Sequence, residues 1–181
     1  MKDFIFIHIP KNAGSSITKI LRPYESPYSF GNHLHAVEAV EKIGRGIYQR
    51  AFTFSFVRNP WSRQVSLYNY IRKDRAHHLY ADVIQWDFKT YVRNLLLRDS
   101  CASNLQYDFL YDDQGNRLVK FVGRFENLFL DFQRVCEVIS VEERIEVQPV
   151  TTFYQEWFDD ESREIVEEVF EKDISTFGYV F

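Results

Sequence analysis

A chain of 181 residues with 45% apolar and 17% aromatic residues can bury one core and is too apolar to be disordered, so we predict a single domain over residues 1–181. Its 22 Lys and Arg against 26 Asp and Glu give a net charge of −4, without a basic run, which disfavours general nucleic-acid binding. Two cysteines exclude a disulfide framework and the N-terminal apolar run is too short for a membrane span, so we expect a cytoplasmic protein.

The first predicted elements are a strand, a glycine turn and a helix. Residues 4–9 are typical of a buried parallel strand, and residues 10–14 form a turn that leads into an apolar-periodic helix. An oxyanion can bind at a helix N-terminus, because the N–H groups there have no partner within the helix. Gly14 allows close backbone approach, Ser15 and Ser16 add hydroxyl donors, and Lys11 adds positive charge. The turn therefore predicts an anion site, although a simple helix cap would look similar.

This turn differs from the P-loop pattern G-x-x-x-x-G-K-[ST] of nucleotide-binding proteins. Its lysine, Lys11, comes before the glycine instead of after it. We therefore expect Lys11 to approach a bound anion from the side of the strand.

Two histidines follow, at the start of the next helix. Residues 22–32 are rich in Pro, Gly and aromatic residues, which is typical of a loop. Residues 36–43 then predict a short helix that Gly44 ends. His33 and His35 lie at the entrance of this helix.

A second strand and helix repeat the opening arrangement. Residues 51–57 are aromatic and β-branched, as in a strand, and end at a turn of Arg58, Asn59 and Pro60. Pro60 suits the first turn of a helix, which we predict to extend to about Lys73. Ligands of parallel sheets bind at the carboxyl ends of the strands, so Lys11 and Arg58 are expected in one crevice.

The second half of the chain predicts further helices and one strand pair. We predict a helix over residues 87–97 with Asp87 as its N-cap, and a hairpin or strand pair from residues 107–111 and 118–122. A helix over residues 126–139 would place Leu128, Phe132, Val135 and Val138 on one side. A last helix runs from residue 159 or 160 to about 170. Strands that alternate with helices predict an α/β fold with a mainly parallel sheet covered on both faces.

Four segments of the chain resemble the sulfotransferases that use 3′-phosphoadenosine 5′-phosphosulfate (PAPS). They are HIPKNAGSS, FSFVRNPWSRQVSLY, FVGRFENLFLDF and EEVFEKDISTFGY, in family order over nearly the whole chain. The resemblance is closest to the carbohydrate branch, which includes heparan and chondroitin sulfotransferases and small bacterial relatives. It implies a three-layer, P-loop-like fold, PAPS as sulfate donor and adenosine 3′,5′-bisphosphate as product.

The resemblance also implies which residues bind the donor. The 5′-phosphosulfate is expected to contact six residues: Lys11, Asn12, Ala13, Gly14, Ser15 and Ser16. The 3′-phosphate is expected to contact Arg58 and Ser66, and the fork of donors of a guanidinium suits a phosphate. Lys11 would also stabilise charge on the departing phosphate oxygen.

A histidine suits the role of base for the acceptor hydroxyl, because its unperturbed pKa of about 6.5 lies near working pH. His33 and His35 are both candidates, and the residues do not decide between them. His8 ranks lower because it lies in the first strand. We predict no metal site, since an H-x-H pair without a third ligand is a poor one.

The acceptor is expected to be a hydroxyl compound, for which the resemblance implies a carbohydrate. Two other functions stay open: a P-loop-type nucleotide or sugar kinase, and a non-catalytic nucleotide-binding module. Trp61 could stack on adenine or belong to the core. Arg63 could contact phosphate, but a salt bridge to a carboxylate is the better expectation. The sequence predicts no oligomeric state.

Overall fold

The computed structural model describes residues 2–24, 33–96, 103–145 and 153–181. Within these ranges the strands are β1 (Phe4–Ile7), β2 (Phe52–Val57) and β3 (Phe121–Arg124). The α-helices are α1 (Gly14–Leu21), α2 (Ala36–Ile43), α3 (Arg45–Arg50), α4 (Pro60–Lys73), α5 (Tyr80–Val83), α6 (Phe88–Tyr91), α7 (Gln106–Leu110), α8 (Leu128–Ile139), α9 (Asp160–Val169) and α10 (Glu171–Phe177). Nowhere in these ranges is a helix both long and apolar enough to cross a membrane.

The strands form one parallel sheet in the order β1-β2-β3. Phe4 of β1 pairs with Phe52 of β2, and Phe54 of β2 pairs with Phe121 of β3. Each of the three strands leads into a helical segment, as parallel connections require. The predicted α/β class with a mainly parallel sheet is confirmed.

The chain divides into two compact units. The first comprises Met1–Arg58 and Gln106–Gln148, and contains the sheet. The second comprises Asn59–Leu105 and Pro149–Phe181, and its regular elements within the described residues are helical. The single domain over residues 1–181 stays a prediction.

The first unit is built on the two buried faces of its sheet. On one face Phe54 and Phe56 pack in a cluster with Ile17 of α1 and Phe132 of α8. On the other face Ile5, Ile7, Thr53 and Ser55 are buried as well. A strand buried on both faces needs apolar or hydrogen-bonded side chains throughout, and Ser55 meets this need by donating to the carbonyl of Ile7 at 2.7 Å.

The second unit is built around α4. Asn59 caps this helix by accepting from the Ser62 N–H at 3.3 Å, and Pro60 occupies the first helical position as predicted. The buried side of α4 contributes Trp61, Val65, Tyr68 and Ile71 to a core cluster. Val166 of α9 and Phe170, which follows α9, belong to the same cluster. The helix α4 begins at Pro60 and ends at Lys73, so both ends of the predicted helix are confirmed.

Two capping aspartates set helix starts in the second unit. Asp87 accepts from the Thr90 N–H at 2.8 Å, which confirms it as the N-cap of α6. Asp159 accepts from the Ser162 hydroxyl at 2.6 Å and from its N–H at 2.9 Å, and pairs with Lys89 at 2.9 Å. The bonds from Ser162 and the charge of Lys89 hold the pKa of Asp159 well below its usual range.

The predicted strand or hairpin at residues 107–111 is wrong. These residues alternate in a way that is typical of a strand, but Gln106–Leu110 forms the helix α7, which buries Gln106, Phe109 and Leu110 at helical spacing. The other predicted strand, residues 118–122, overlaps the strand β3. This strand pairs in parallel with β2 instead of with residues 107–111. Contact between Tyr111 and Arg117 is limited to one antiparallel bridge.

One face of α8 was also predicted incorrectly. Leu128, Phe132 and Val135 are buried as expected, but Val138 is 43% exposed, and Ile139 is buried in its place. The predicted helix over residues 126–139 begins with a 3₁₀ turn, Phe125–Asn127, before α8 itself. Within α8 the buried residues Leu128, Phe132, Val135 and Ile139 follow the α-helical repeat at spacings of four, three and four residues, and Val138 lies outside this stripe.

Candidate functional site

The loops that follow β1 and β2 meet at one edge of the sheet. The two strands are parallel neighbours, so their carboxyl ends lie side by side. Nη1 of Arg58, which follows β2, donates to the carbonyl of Lys11, in the loop after β1, at 3.1 Å. The expected proximity of Lys11 and Arg58 is therefore present in the first unit.

The loop after β1 has a left-handed backbone at two residues that are not glycine. Lys11 has φ 69° and Ala13 has φ 64°. For L-residues this conformation costs on the order of 1 kcal/mol each, and it persists only where the surroundings hold it. Ala13 ends the loop as the N-cap of α1, and its carbonyl accepts from the N–H groups of Ser16 and Ile17 at 3.0 and 3.1 Å. The first turn of α1 thus begins directly from a strained loop.

Asn12 anchors this loop from inside the first unit. Its side chain is only 1% exposed, and Nδ2 donates to the carbonyl of Phe56 at 2.7 Å and to Oε1 of Gln106 at 2.7 Å. Oδ1 accepts no hydrogen bond from any residue that the structure describes. The side chain therefore turns inward, and any contact of Asn12 with a ligand would come from its backbone.

Gln106 joins the two loops, and sequence reasoning missed it. Besides the bond from Asn12, its Oε1 accepts from the Arg58 N–H at 2.8 Å, and its Nε2 donates to the Arg58 carbonyl at 2.8 Å. Gln106 is completely buried at the start of α7. A lone glutamine carries no sequence signal for this role, since it shows only once α7 is folded against the strand ends.

The guanidinium of Arg58 is held beneath an aromatic ring. Its central carbon lies 4.0 Å from the centre of the Phe125 ring, and the residue is 3% exposed. A guanidinium has five N–H donors in a fixed fork, and weak solvent screening strengthens its attraction for an anion. The ring and the carbonyl of Lys11 together fix the direction of this fork.

Gly14 begins α1 against the imidazole of His8. A Cβ atom added to Gly14 would lie 1.8 Å from Cδ2 and 1.9 Å from Nε2 of His8, closer than atoms can approach. The N-terminus of α1 therefore has space for glycine alone. His8, which directly follows β1, is 9% exposed.

The two candidate bases have different surroundings. His33 is exposed, has φ 69°, and its ring centre lies 4.8 Å from that of His8. His35 is the N-cap of α2, its N–H donates to Oε2 of Glu38 at 2.7 Å, and its ring centre lies 4.2 Å from that of Phe109. Of the two histidines, His33 is the one whose ring contacts His8, which lies against Gly14.

Three further residues of the prediction lie in the second unit. Ser66 is half-buried on α4. Trp61 is a core residue whose Nε1 donates to the Arg163 carbonyl at 3.1 Å. Arg63 is buried and donates to the Asn104 carbonyl at 2.9 Å; burial lowers its pKa, and the charge of Asp173 partly opposes this change. Arg63 thus serves the interior of its unit, and its predicted salt bridge to a carboxylate stays a prediction.

Comparison with known proteins decides the family. The sequence profile of the Sulfotransferase family matches residues 2–180. The chain belongs to this family. The match supports sulfotransfer as the general activity.

A relative comes from Archaeoglobus fulgidus. It is 28% identical over 114 residues, which are 59% of this chain and 82% of that protein, and it is described only as an uncharacterized protein.

The described ranges of the sulfotransferase bring no three His, Cys, Asp or Glu side chains together in a group that could hold a metal ion.

Replacement of Gly14 by alanine should destabilise the sulfotransferase. The added Cβ has no room beside His8, so we expect the free energy of unfolding to fall by about 1–3 kcal/mol in urea titrations. Gly46→Ala is the matched control. It lies on α3, where a Cβ would meet only Nη1 of Arg50 at 3.7 Å, and alanine favours helices. Equal stability of both variants would show that the His8 contact does not constrain Gly14.

Proposed function

We propose that this chain transfers a sulfuryl group from PAPS to a hydroxyl group of an acceptor, for which we expect a carbohydrate. The observation that carries this proposal is the pair of loops at the ends of β1 and β2. One offers a helix N-terminus and Lys11, the other offers Arg58, and Gln106 hydrogen-bonds to both. Two anion-binding elements at adjacent strand ends suit a donor with a phosphate at each end.

The loop after β1 fits a phosphosulfate. Its first-turn N–H groups and the hydroxyls of Ser15 and Ser16 are donors, and Gly14 lets the start of α1 lie directly against His8. Asn12 holds the loop from below, and its backbone and that of Ala13 line the turn. These residues would bind the nonbridging oxygens and keep the group in line with the acceptor.

The donor's 3′-phosphate is assigned to Arg58. Its buried fork is held in direction by Phe125 and the Lys11 carbonyl, so it would lose little conformational freedom on binding. The second contact, Ser66, rests on the family resemblance alone.

The transfer step needs a base and a stabilised leaving group. When bound, PAPS supplies the sulfuryl group, whose bond to the 5′-phosphate oxygen breaks while a bond from sulfur to the acceptor oxygen forms. His33 would take the proton of the acceptor hydroxyl, and the ammonium of Lys11 would stabilise the electron pair left on the phosphate oxygen. His33 is preferred to His35 because its ring contacts His8, which lies against Gly14. The ring of His35, at the start of α2, packs on Phe109 of α7 instead.

Replacement of Lys11 by alanine separates catalysis from binding. With labelled PAPS and a panel of carbohydrate acceptors, we expect kcat to fall by about 100- to 1,000-fold, as for the loss of one oxyanion donor. The Kd for adenosine 3′,5′-bisphosphate should rise by less than about tenfold, because the first-turn N–H groups and Arg58 remain.

Lys19→Ala is the control for this variant. It removes an exposed lysine from the last turn of α1, the helix that follows the loop of Lys11, and should leave both constants unchanged. Small and equal losses of kcat and affinity in Lys11→Ala would favour the binding module. Transfer of phosphate from ATP with magnesium, without sulfuryl transfer, would favour a kinase.

Replacement of each histidine distinguishes the candidate bases. His33→Ala should lower kcat by about 100-fold or more, within the usual contribution of a general base, whereas His35→Ala should lower it by less than about tenfold. The wild-type rate should fall on the acid side of its pH profile, because a protonated imidazole cannot accept a proton, and this limb should disappear in His33→Ala. The reverse order of the two losses would make His35 the base.

A further inference from the structure

The imidazole of His8 is fixed on three sides. It follows β1, and the Phe6 ring stacks on it with centres 5.7 Å apart and planes 13° apart. A second side lies against Gly14, where no Cβ would fit. The third side meets His33, with ring centres 4.8 Å apart and planes 51° apart. With 9% exposure, this ring has little freedom to move.

The side chain of His33 is more exposed than that of His8. It is exposed, and its backbone has the left-handed φ of 69°, which a residue with a Cβ adopts only when held there. An exposed side chain has several rotamers, but a base must meet the acceptor hydroxyl within hydrogen-bond reach. A neighbour that restricts this ring would therefore act directly on the rate of transfer.

His8 touches both sides of the proposed reaction. Its ring contacts the first residue of α1, where the donor group would lie, and it contacts the ring proposed to take the acceptor's proton. One rigid side chain thus sets the distance between donor loop and base. Errors of about 1 Å in such a distance lower rates by about 100-fold.

We propose that His8 is a positioning residue that holds the ring of His33 in place relative to Gly14. This inference rests on the proposed function and adds a residue that the strand pattern alone places in the core. His8 does not itself take the acceptor's proton, since its ring is enclosed by Phe6, Gly14 and His33.

A double-mutant cycle tests this role. His8→Ala should lower kcat by about 10- to 100-fold, while the KM for PAPS and the Kd for the bisphosphate change by less than about threefold. The double variant His8→Ala with His33→Ala should be no slower than His33→Ala alone, within about threefold, because His8 acts only through His33. Losses that multiply in the double variant would overturn the proposal.

A conservative variant and a control complete the test. His8→Gln keeps a planar polar group beside Gly14 but cannot act as a base, so kcat should stay within about fivefold of wild type. If His8→Gln is as slow as His8→Ala, the proposal is wrong. His78→Ala removes a ring from the stacked pair of His77 and His78, whose centres lie 4.6 Å apart in the second unit, and should leave kcat unchanged.

Folding and the proposed function are checked separately. Should His8→Ala fail to bind the bisphosphate, His8→Asn takes its place in the same cycle, with the same outcomes. Wild-type sulfuryl transfer and bisphosphate binding test the proposed function, and both stay positive if only the role of His8 is wrong.

Discussion

The candidate site depends on the hydrogen bonds of one buried side chain, Gln106. Its amide accepts from Asn12 and from the Arg58 N–H and donates to the Arg58 carbonyl, at 2.7, 2.8 and 2.8 Å. Each of these groups is buried, and a buried polar group without a partner costs about 1–3 kcal/mol. The glutamine is therefore hydrogen-bonded to both strand-end loops, and these bonds hold the two loops beside each other.

A second constraint is the close contact at the start of α1. The left-handed residues Lys11 and Ala13 turn the chain sharply enough for Gly14 to lie against His8. Two hydrogen bonds help to hold this left-handed backbone: the Lys11 carbonyl accepts from Arg58, and the Asn12 side chain donates to the Phe56 carbonyl inside the unit. The loop is thus preorganised, so an anion would meet donors that already have their final direction.

Local patterns predicted the parts of the fold that local chemistry determines. The turn after β1, the helix from Pro60 and the Asp87 cap all have signals within a few residues, and the structure contains each of them. Residues 107–111 were misassigned because their aromatic alternation resembles a strand, and only tertiary burial of Gln106, Phe109 and Leu110 selects a helix. For the same reason Gln106 and the contact of His8 with His33 were not predictable: each joins segments far apart in the sequence.

Isothermal titration calorimetry with adenosine 3′,5′-bisphosphate tests the central claim most directly, because that claim is a site for two phosphates at adjacent strand ends. The account predicts a one-to-one complex without magnesium, at least about 100-fold tighter than adenosine 5′-monophosphate, since the 3′-phosphate adds charge-assisted bonds to Arg58. Equal affinity for the two nucleotides, or binding of ATP with magnesium but not of the bisphosphate, would contradict it.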